Sequence, residues 1–269
     1  MLARQRQTAI LERVRVTGGV RVTELATEFG VSDMTIRRDL EALADRGLLA
    51  KVHGGATVAG PGSTDEPGFE AKSVRQRAEK KLIGARAARL VTPGMAVALS
   101  AGTTTAELAR RLVTVPGLTV VTNSIPVADL FHRHGSGTDQ TVVLTGGVRT
   151  PSDALVGPVA VAAIRALNLD LVFLGVHGMS ERAGFTTPNL MEAETNRALV
   201  AAAERLVVLA DHSKWETVGI SSMAGLGEAH TVVSDPGLPE PARTAIREHG
   251  VDLVIAETNN LDAESGVGS

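Results

Sequence analysis

VTELATEFGVSDMTIRRDLEALADRGLLAKVHGGA, residues 22 to 56, decides how the chain begins. Its apolar residues fall at helical spacing in two groups: Leu25, Ala26 and Phe29, then Ile36, Leu40 and Leu43 at i, i+4 and i+7. Gly30 and Val31 stand between them as a tight turn, with Thr23 placed to cap the first helix and Ser32 the second. Two helices joined in this way form a helix-turn-helix, and the buried stripe of the second leaves Asp33, Met34, Thr35, Arg37 and Arg38 facing outward. Arginine's forked donors fit phosphate and guanine edges, so these side chains are suited to a DNA major groove. Working outward, a preceding helix is expected over about Gln5 to Val16, with Ile10, Leu11 and Val14 on one face and Gly18-Gly19 ending it. Behind the motif, Leu48 to Val52 and Ala56 to Val58 are expected to form a wing around His53-Gly54-Gly55. The candidate DNA contacts are therefore Ser32, Met34, Thr35, Arg37, Arg38, Lys51 and His53. On pattern alone, a charged, solvated helix in a small helical subdomain would read the same way.

At 269 residues the chain has room for this head and a larger body. Its 43% hydrophobic and 21% charged residues are ordinary globular usage, and no apolar run reaches the ~18 residues of a membrane span. With no apolar leader at the start, the expectation is a cytoplasmic protein with no membrane partner. The absence of cysteine excludes disulfides, thiolate catalysis and cysteine-ligated zinc. His132 and His134 have no accompanying carboxylate cluster, so neither a metal nor a cofactor is expected. Net charge is −3, yet residues 1 to 57 hold nine Lys and Arg against seven Asp and Glu, while the remainder holds eighteen against twenty-three. A basic head on an acidic body suits a chain that meets phosphate backbone with its head alone.

Turn formers from Ala59 to Gly68 read as a linker, and the stretch after Glu257 has little to bury. The boundaries that follow are 1–58 for the head, 59–69 for the linker, 70–258 for the body and 259–269 for a disordered tail. Within the body, seven β-type runs alternate with helical patterns: Met95 to Leu99, Leu118 to Thr122, Thr141 to Thr145, Asp170 to Gly175, Leu206 to Ala210, Thr231 to Ser234 and Val251 to Ala256. Strands apolar on both faces and alternating with helices predict an α/β fold with a doubly wound, largely parallel sheet. Its ligand site belongs at the carboxyl ends of the strands. A charged helix from about Glu70 to Leu90 is expected to connect head and body.

The sharpest local signal in the body is Ser100-Ala101-Gly102-Thr103-Thr104-Thr105, between a strand and a helix. Thr104 and Glu107 have capping-box spacing, Gly102 lets the backbone come close to a ligand, and the helix's free N–H groups with the threonine hydroxyls can cradle phosphate. Thr-rich caps also occur on helices that bind nothing. Other strand ends supply Asn123 and Ser124, Gly146 and Gly147 with Arg149, His177, and Asp211 through Lys214. Polar groups at successive strand ends suit sugar hydroxyls, and Arg149 or Lys214 adds charge for a phosphate. The candidate effector contacts are thus Gly102, Thr103, Thr104, Thr105, Asn123, Ser124, Gly146, Gly147, Arg149, His177 and Lys214.

These residues resemble a family. The stretch from Val22 to Ala56, with its TIRRDL core and HGGA wing, is similar to the signature of the DeoR family of winged-helix repressors, and AGTTTAELA, TNS, LTGG, LVGP, GFTTPN and LADHSKW continue the likeness through the body in the family's order. The resemblance implies a repressor of carbohydrate-metabolism genes, a homo-oligomer (dimer or tetramer) released from operator DNA by a phosphorylated sugar. It also implies a body resembling ribose-5-phosphate isomerase, which makes a sugar-phosphate isomerase with a DNA-binding head the rival reading. An isomerase needs a placed carboxylate and enediolate stabilisers, for which Asp153, Glu192, Asp211, His177 and Lys214 are the available groups. Ser100 and His177 depart from the common family pattern, where many relatives carry an acidic residue at one or both places.

Overall fold

The computed structural model describes residues 3–17, 19–45, 48–52, 54–58, 68–135 and 137–257; His53, the linker residues 59–67 and the tail from Thr258 onward lie outside them. The chain separates into two compact units, Met1–Gly62 and Ser63–Ser269.

In the first unit, α1 (Ala3–Thr17) and β1 (Gly19–Arg21) precede α2 (Val22–Phe29) and α3 (Asp33–Asp45), and β2 (Leu49–Val52) and β3 (Gly55–Val58) follow. The helices close around Ile10, Val14, Leu25, Ile36, Leu40 and Leu43, the apolar positions that their 3.6-residue period places on facing stripes. Gly30, at φ 62°, turns the chain between α2 and α3 and donates its N–H to the Ala26 carbonyl. Ser32 caps α3 as its spacing predicts: its Oγ accepts the Thr35 N–H at 3.2 Å and lies 2.9 Å from Thr35 Oγ1. Thr23, by contrast, is inside α2 and caps nothing. The cap position is Arg21, and the Val22 N–H is satisfied by the Gly54 carbonyl at 2.9 Å. The wing also has a third strand, because β1 pairs antiparallel with β3 on the side away from β2.

The second unit opens with α4 (Phe69–Ser73) and α5 (Arg77–Ala88). The continuous connecting helix expected there is broken: Gln76 adopts φ 48°, a left-handed backbone that no α-helix can propagate through. Next come β4 (Ala96–Leu99), α6 (Thr103–Leu112), β5 (Thr119–Thr122), α7 (Ile125–His134) and β6 (Thr141–Leu144). A hairpin of β7 (Val148–Arg149) and β8 (Leu155–Val156) leads to α8 (Pro158–Arg165) and β9 (Leu169–Gly175). The remainder is β10 (Gly178–Ser180), β11 (Gly184–Thr187), α9 (Leu190–Ala201), β12 (Ala203–Leu209), β13 (Ser221–Ala224), β14 (Thr231–Ser234), α10 (Glu240–Glu248) and β15 (Asp252–Ile255).

Seven strands form one parallel sheet in the order β15-β14-β12-β9-β4-β5-β6, and they are the seven runs singled out in the sequence. Alternate strand residues bury on opposite faces. Val97, Leu99 and Phe173 meet Ile83, Leu108 and Phe131 of α5, α6 and α7. On the other face Val172, Leu174 and Val208 meet Ile164, Leu199 and Ile246 of α8, α9 and α10. The sheet is therefore doubly wound, as the two-sided apolar pattern demands. At Gly84, α5 approaches α6 so closely that a Cβ would lie 2.8 Å from the Glu107 carbonyl carbon and the Leu108 nitrogen. The β7–β8 hairpin and an antiparallel sheet of order β10-β11-β13 were not anticipated: their strands have two to four residues and too little apolar alternation to register. Among the described residues, no helix is long and apolar enough to cross a membrane.

Candidate functional site

Along α3, Ile36, Leu40 and Leu43 face the core of the first unit, which leaves Ser32, Met34, Arg37 and Arg38 exposed and Thr35 half-buried. Met34 is 62% exposed. Met34, Arg37, Arg38 and Glu41 line one side of a cleft whose other wall includes Val22 and Gly55. Of Lys51 only the backbone, in β2, is described, and His53 lies outside the described residues. Asp39 was not recognised from the sequence. It is buried beside the arginines and bonded to α1, with Arg6 Nε donating to Oδ2 at 2.5 Å and Gln7 Nε2 to Oδ1 at 3.0 Å. Its position on the inner stripe, one residue before Leu40, was the available signal.

In the second unit, β12, β9, β4, β5 and β6 are consecutive neighbours, so the polar loops that follow them stand side by side at one edge of the sheet. Strand order reverses between β4 and β9: the chain runs outward from β4 through β5 to β6, then returns to β9 and proceeds the other way. Such a switch point opens a crevice between diverging loops. Ser100 joins its two walls, its buried Oγ accepting the Gly175 N–H at 2.9 Å. Gly102 then adopts φ 156°, and a Cβ there would come 3.2 Å from Thr105 Oγ1.

The capping box expected of Thr104 and Glu107 does not form. Thr104 is buried, Thr105 Oγ1 donates to the Gly102 carbonyl at 2.9 Å, and Glu107 lies 3.7 Å from Arg110. With Gly102 at its N-cap, α6 has no side-chain cap, while Ala101, Gly102 and Thr103 are half-exposed. The first-turn N–H groups thus leave their partial positive charge at the strand-end side of the sheet.

Asn123 and Ser124 are fully engaged with the protein. Asn123 is buried, with Oδ1 accepting the Ala101 N–H at 2.9 Å and Nδ2 donating to the Leu155 carbonyl at 3.2 Å; Ser124 Oγ caps α7 by accepting the Val127 N–H at 3.3 Å. As they stand, these residues fasten the loop between β4 and α6. Gly146 and Gly147, both at positive φ, turn the chain from β6 into the hairpin, where exposed Arg149 is bonded through Nε to Asp153 at 2.7 Å. His177, half-buried, donates its N–H to the Thr186 carbonyl at 3.1 Å, and Lys214, also half-buried, follows Asp211 in the loop after β12. Of the carboxylates an isomerase would need, Asp153 is paired with Arg149 and Glu192 accepts hydroxyls from Thr150 and Thr187.

Lys80 was also missed, hidden in a charged run, although its place at the strand-end side of α5 matters. The side chain is 3% exposed, and its Nζ donates to the carbonyls of Lys72 at 2.7 Å and Arg75 at 2.6 Å. Burial pushes its ammonium from 10.5 down to about 8; Asp211 opposes the shift, and Lys214, Arg75 and Lys72 add to it. The fold therefore favours the neutral amine relative to the unfolded chain. Below about pH 8 it bears the whole cost of the buried charge, and stability rises as pH climbs from 8 toward 10.5. The full window is worth about 3 kcal/mol. Urea unfolding of the wild type and Lys80→Met at pH 7.5 and 9.5 is expected to show the difference moving in the wild type's favour at the higher pH. An unchanged difference would refute the shift.

Two family models match. The DeoR-like helix-turn-helix domain covers residues 6–61, and the DeoR C-terminal sensor domain covers residues 75–236. The putative aga operon transcriptional repressor of Escherichia coli O157:H7 is 31% identical over 93% of this chain and 93% of its own length. The HTH-type transcriptional regulator GlpR of Haloferax volcanii is 36% identical over 94% of this chain and 98% of its own. Among solved structures, ribose 5-phosphate isomerase A from Methanocaldococcus jannaschii aligns with a TM-score of 0.37 and 18% identity over 51% of this chain and 54% of that one.

Proposed function

The chain belongs to the DeoR family of transcriptional regulators, a regulator rather than an enzyme, and from this we propose that it represses carbohydrate-metabolism genes and leaves its operator when a phosphorylated sugar binds the body. The observation that carries the proposal is that one chain joins an exposed recognition-helix face to a helix N-terminus without a side-chain cap at its sheet's switch point.

In this reading residues 1–58 form the DNA-binding domain and 70–258 the sensor, joined by 59–69. Ser32, Met34, Thr35, Arg37 and Arg38 meet the major groove, with Lys51 and His53 on the backbone beside it. The N–H groups of Gly102, Thr103, Thr104 and Thr105 take the phosphate, Lys214 and Arg149 add positive charge, and His177 and the loops holding Asn123, Ser124, Gly146 and Gly147 shape the space for hydroxyls. Operators of helix-turn-helix proteins carry paired half-sites, so the regulator acts in the cytoplasm as a homo-oligomer, a dimer or tetramer. A coupling of about 1 to 3 kcal/mol between ligand and operator is enough to switch occupancy.

The test uses the full chain and an operator recovered by selection from random duplexes. Phosphorylated sugars are screened for a rise in melting temperature, and each one that binds is added to the protein–operator complex. At least one sugar phosphate is expected to stabilise the protein and weaken operator binding five-fold or more. A ligand that binds tightly yet leaves operator affinity untouched would defeat the inducer reading.

A further inference from the structure

Several side-chain bonds hold the segment that enters the second unit from the linker. Lys72 Nζ donates to Ser152 Oγ at 2.9 Å, in the β7–β8 hairpin. Gln76 Nε2 lies 3.5 Å from His212 Nε2, whose ring is fixed by Asp235 at 2.8 Å. Lys80 contributes most: one ammonium bridges the carbonyls of Lys72 and Arg75, so it ties the end of α4 to the turn that starts α5. That turn contains Gln76 in its left-handed conformation, and the Gln76 carbonyl accepts the Lys80 N–H at 3.0 Å, the first bond of α5.

The same ammonium has another acceptor within its electrostatic reach. Asp211, at the end of β12, is fully buried. Its Oδ1 is occupied by the N–H and hydroxyl of Ser213, whereas its Oδ2 has no hydrogen-bond partner among the described residues. A buried carboxylate oxygen left in this way is costly, and a ligand donor or a nearby cation would relieve that cost. Lys80 therefore stands between two acceptor sets: main-chain carbonyls on the incoming segment, and the carboxylate at the crevice.

We propose that Lys80 is the residue through which occupancy of the crevice reaches the linker: its ammonium clamps the α4–α5 joint, and a phosphorylated ligand draws it toward ligand oxygen and Asp211, unfastening that joint. The proposal rests on the sensing role proposed above and assigns it a route. A ligand hydroxyl donating to Asp211 Oδ2 while phosphate accepts from Lys80 satisfies both groups at once. The joint then loses the ammonium that bridges the Lys72 and Arg75 carbonyls, and the α4 end is no longer fastened to α5.

Hydrogen exchange of the full chain reads the joint directly. Ribose 5-phosphate is the probe, ribose is the uncharged control, and calorimetry establishes separately whether the probe binds. Residues 68–80 are expected to exchange about tenfold faster with bound ribose 5-phosphate than without it. In Lys80→Met they exchange faster from the start and do not respond further, while Lys80→Arg, which keeps a cation, retains part of the protection and the response. Binding of ribose 5-phosphate without faster exchange in residues 68–80 overturns the proposal, and this arm needs only the wild type should Lys80→Met not fold. If the probe does not bind, ribose 5-phosphate is not the effector, and the ligand-free comparison decides the clamp: unchanged exchange in Lys80→Met overturns it and faster exchange supports it.

Discussion

Replacing Asp39 with alanine is expected to unfold the DNA-binding unit and leave the sensor unit standing. The carboxylate is buried between α1 and α3 and accepts from Arg6 and Gln7, so its removal takes from the buried Arg6 guanidinium the carboxylate to which its Nε donates. Breaking a buried pair in this manner costs about 3 to 5 kcal/mol. That is a large share of what a unit of some 60 residues commands, since small domains bury little surface. Operator binding should be lost, and proteolysis should clip the first unit while the thermal transition of the second stays in place. The double replacement Arg6→Met with Asp39→Leu removes both charges together and is expected to recover much of the lost stability. If Asp39→Ala alone unfolds no more readily than the wild type, α3 is not held in place by this pair.

At the two residues just before Asp39 in the same helix, the opposite result is expected. Arg37→Ala combined with Arg38→Ala removes two exposed side chains that support nothing in the core, so the protein should melt as the wild type does. Operator affinity should nevertheless fall on the order of 100-fold or more, at about 1 to 3 kcal/mol for each arginine that grips a base edge. Salt titration separates the roles: each lost phosphate contact lowers the slope of log affinity against log salt by about 0.9, whereas a lost base contact relaxes sequence preference. Normal affinity and an unchanged slope in the double variant would remove this face of α3 from DNA recognition.

The contrast between Arg37, Arg38 and Asp39 shows how far a linear reading reaches. Periodicity put the two arginines outside the buried stripe, and they are exposed; Asp39 was not read as a core residue, because hydropathy alone does not place a carboxylate inside. Only the approach of Arg6, 33 residues earlier, makes its burial tolerable. Lys80 escaped notice for the same reason, since its two acceptors are main-chain carbonyls and a sequence says nothing of where those point. Thr23 and Thr104 were misread because capping spacing is necessary for a cap and does not guarantee one: the Val22 amide found the wing carbonyl instead, and Thr104 turned inward.

By itself the sequence determined that there is a helix-turn-helix with a small β-wing and that seven two-sided apolar strands alternate with helices, because both follow from local hydrophobic period and turn chemistry. Tertiary structure alone decided the order of those strands, and with it the reversal between β4 and β9 that brings the loop after Ser100 beside Gly175. Which strands become neighbours depends on how helices share the two faces of the sheet, a choice made by long-range packing that no window of adjacent residues records.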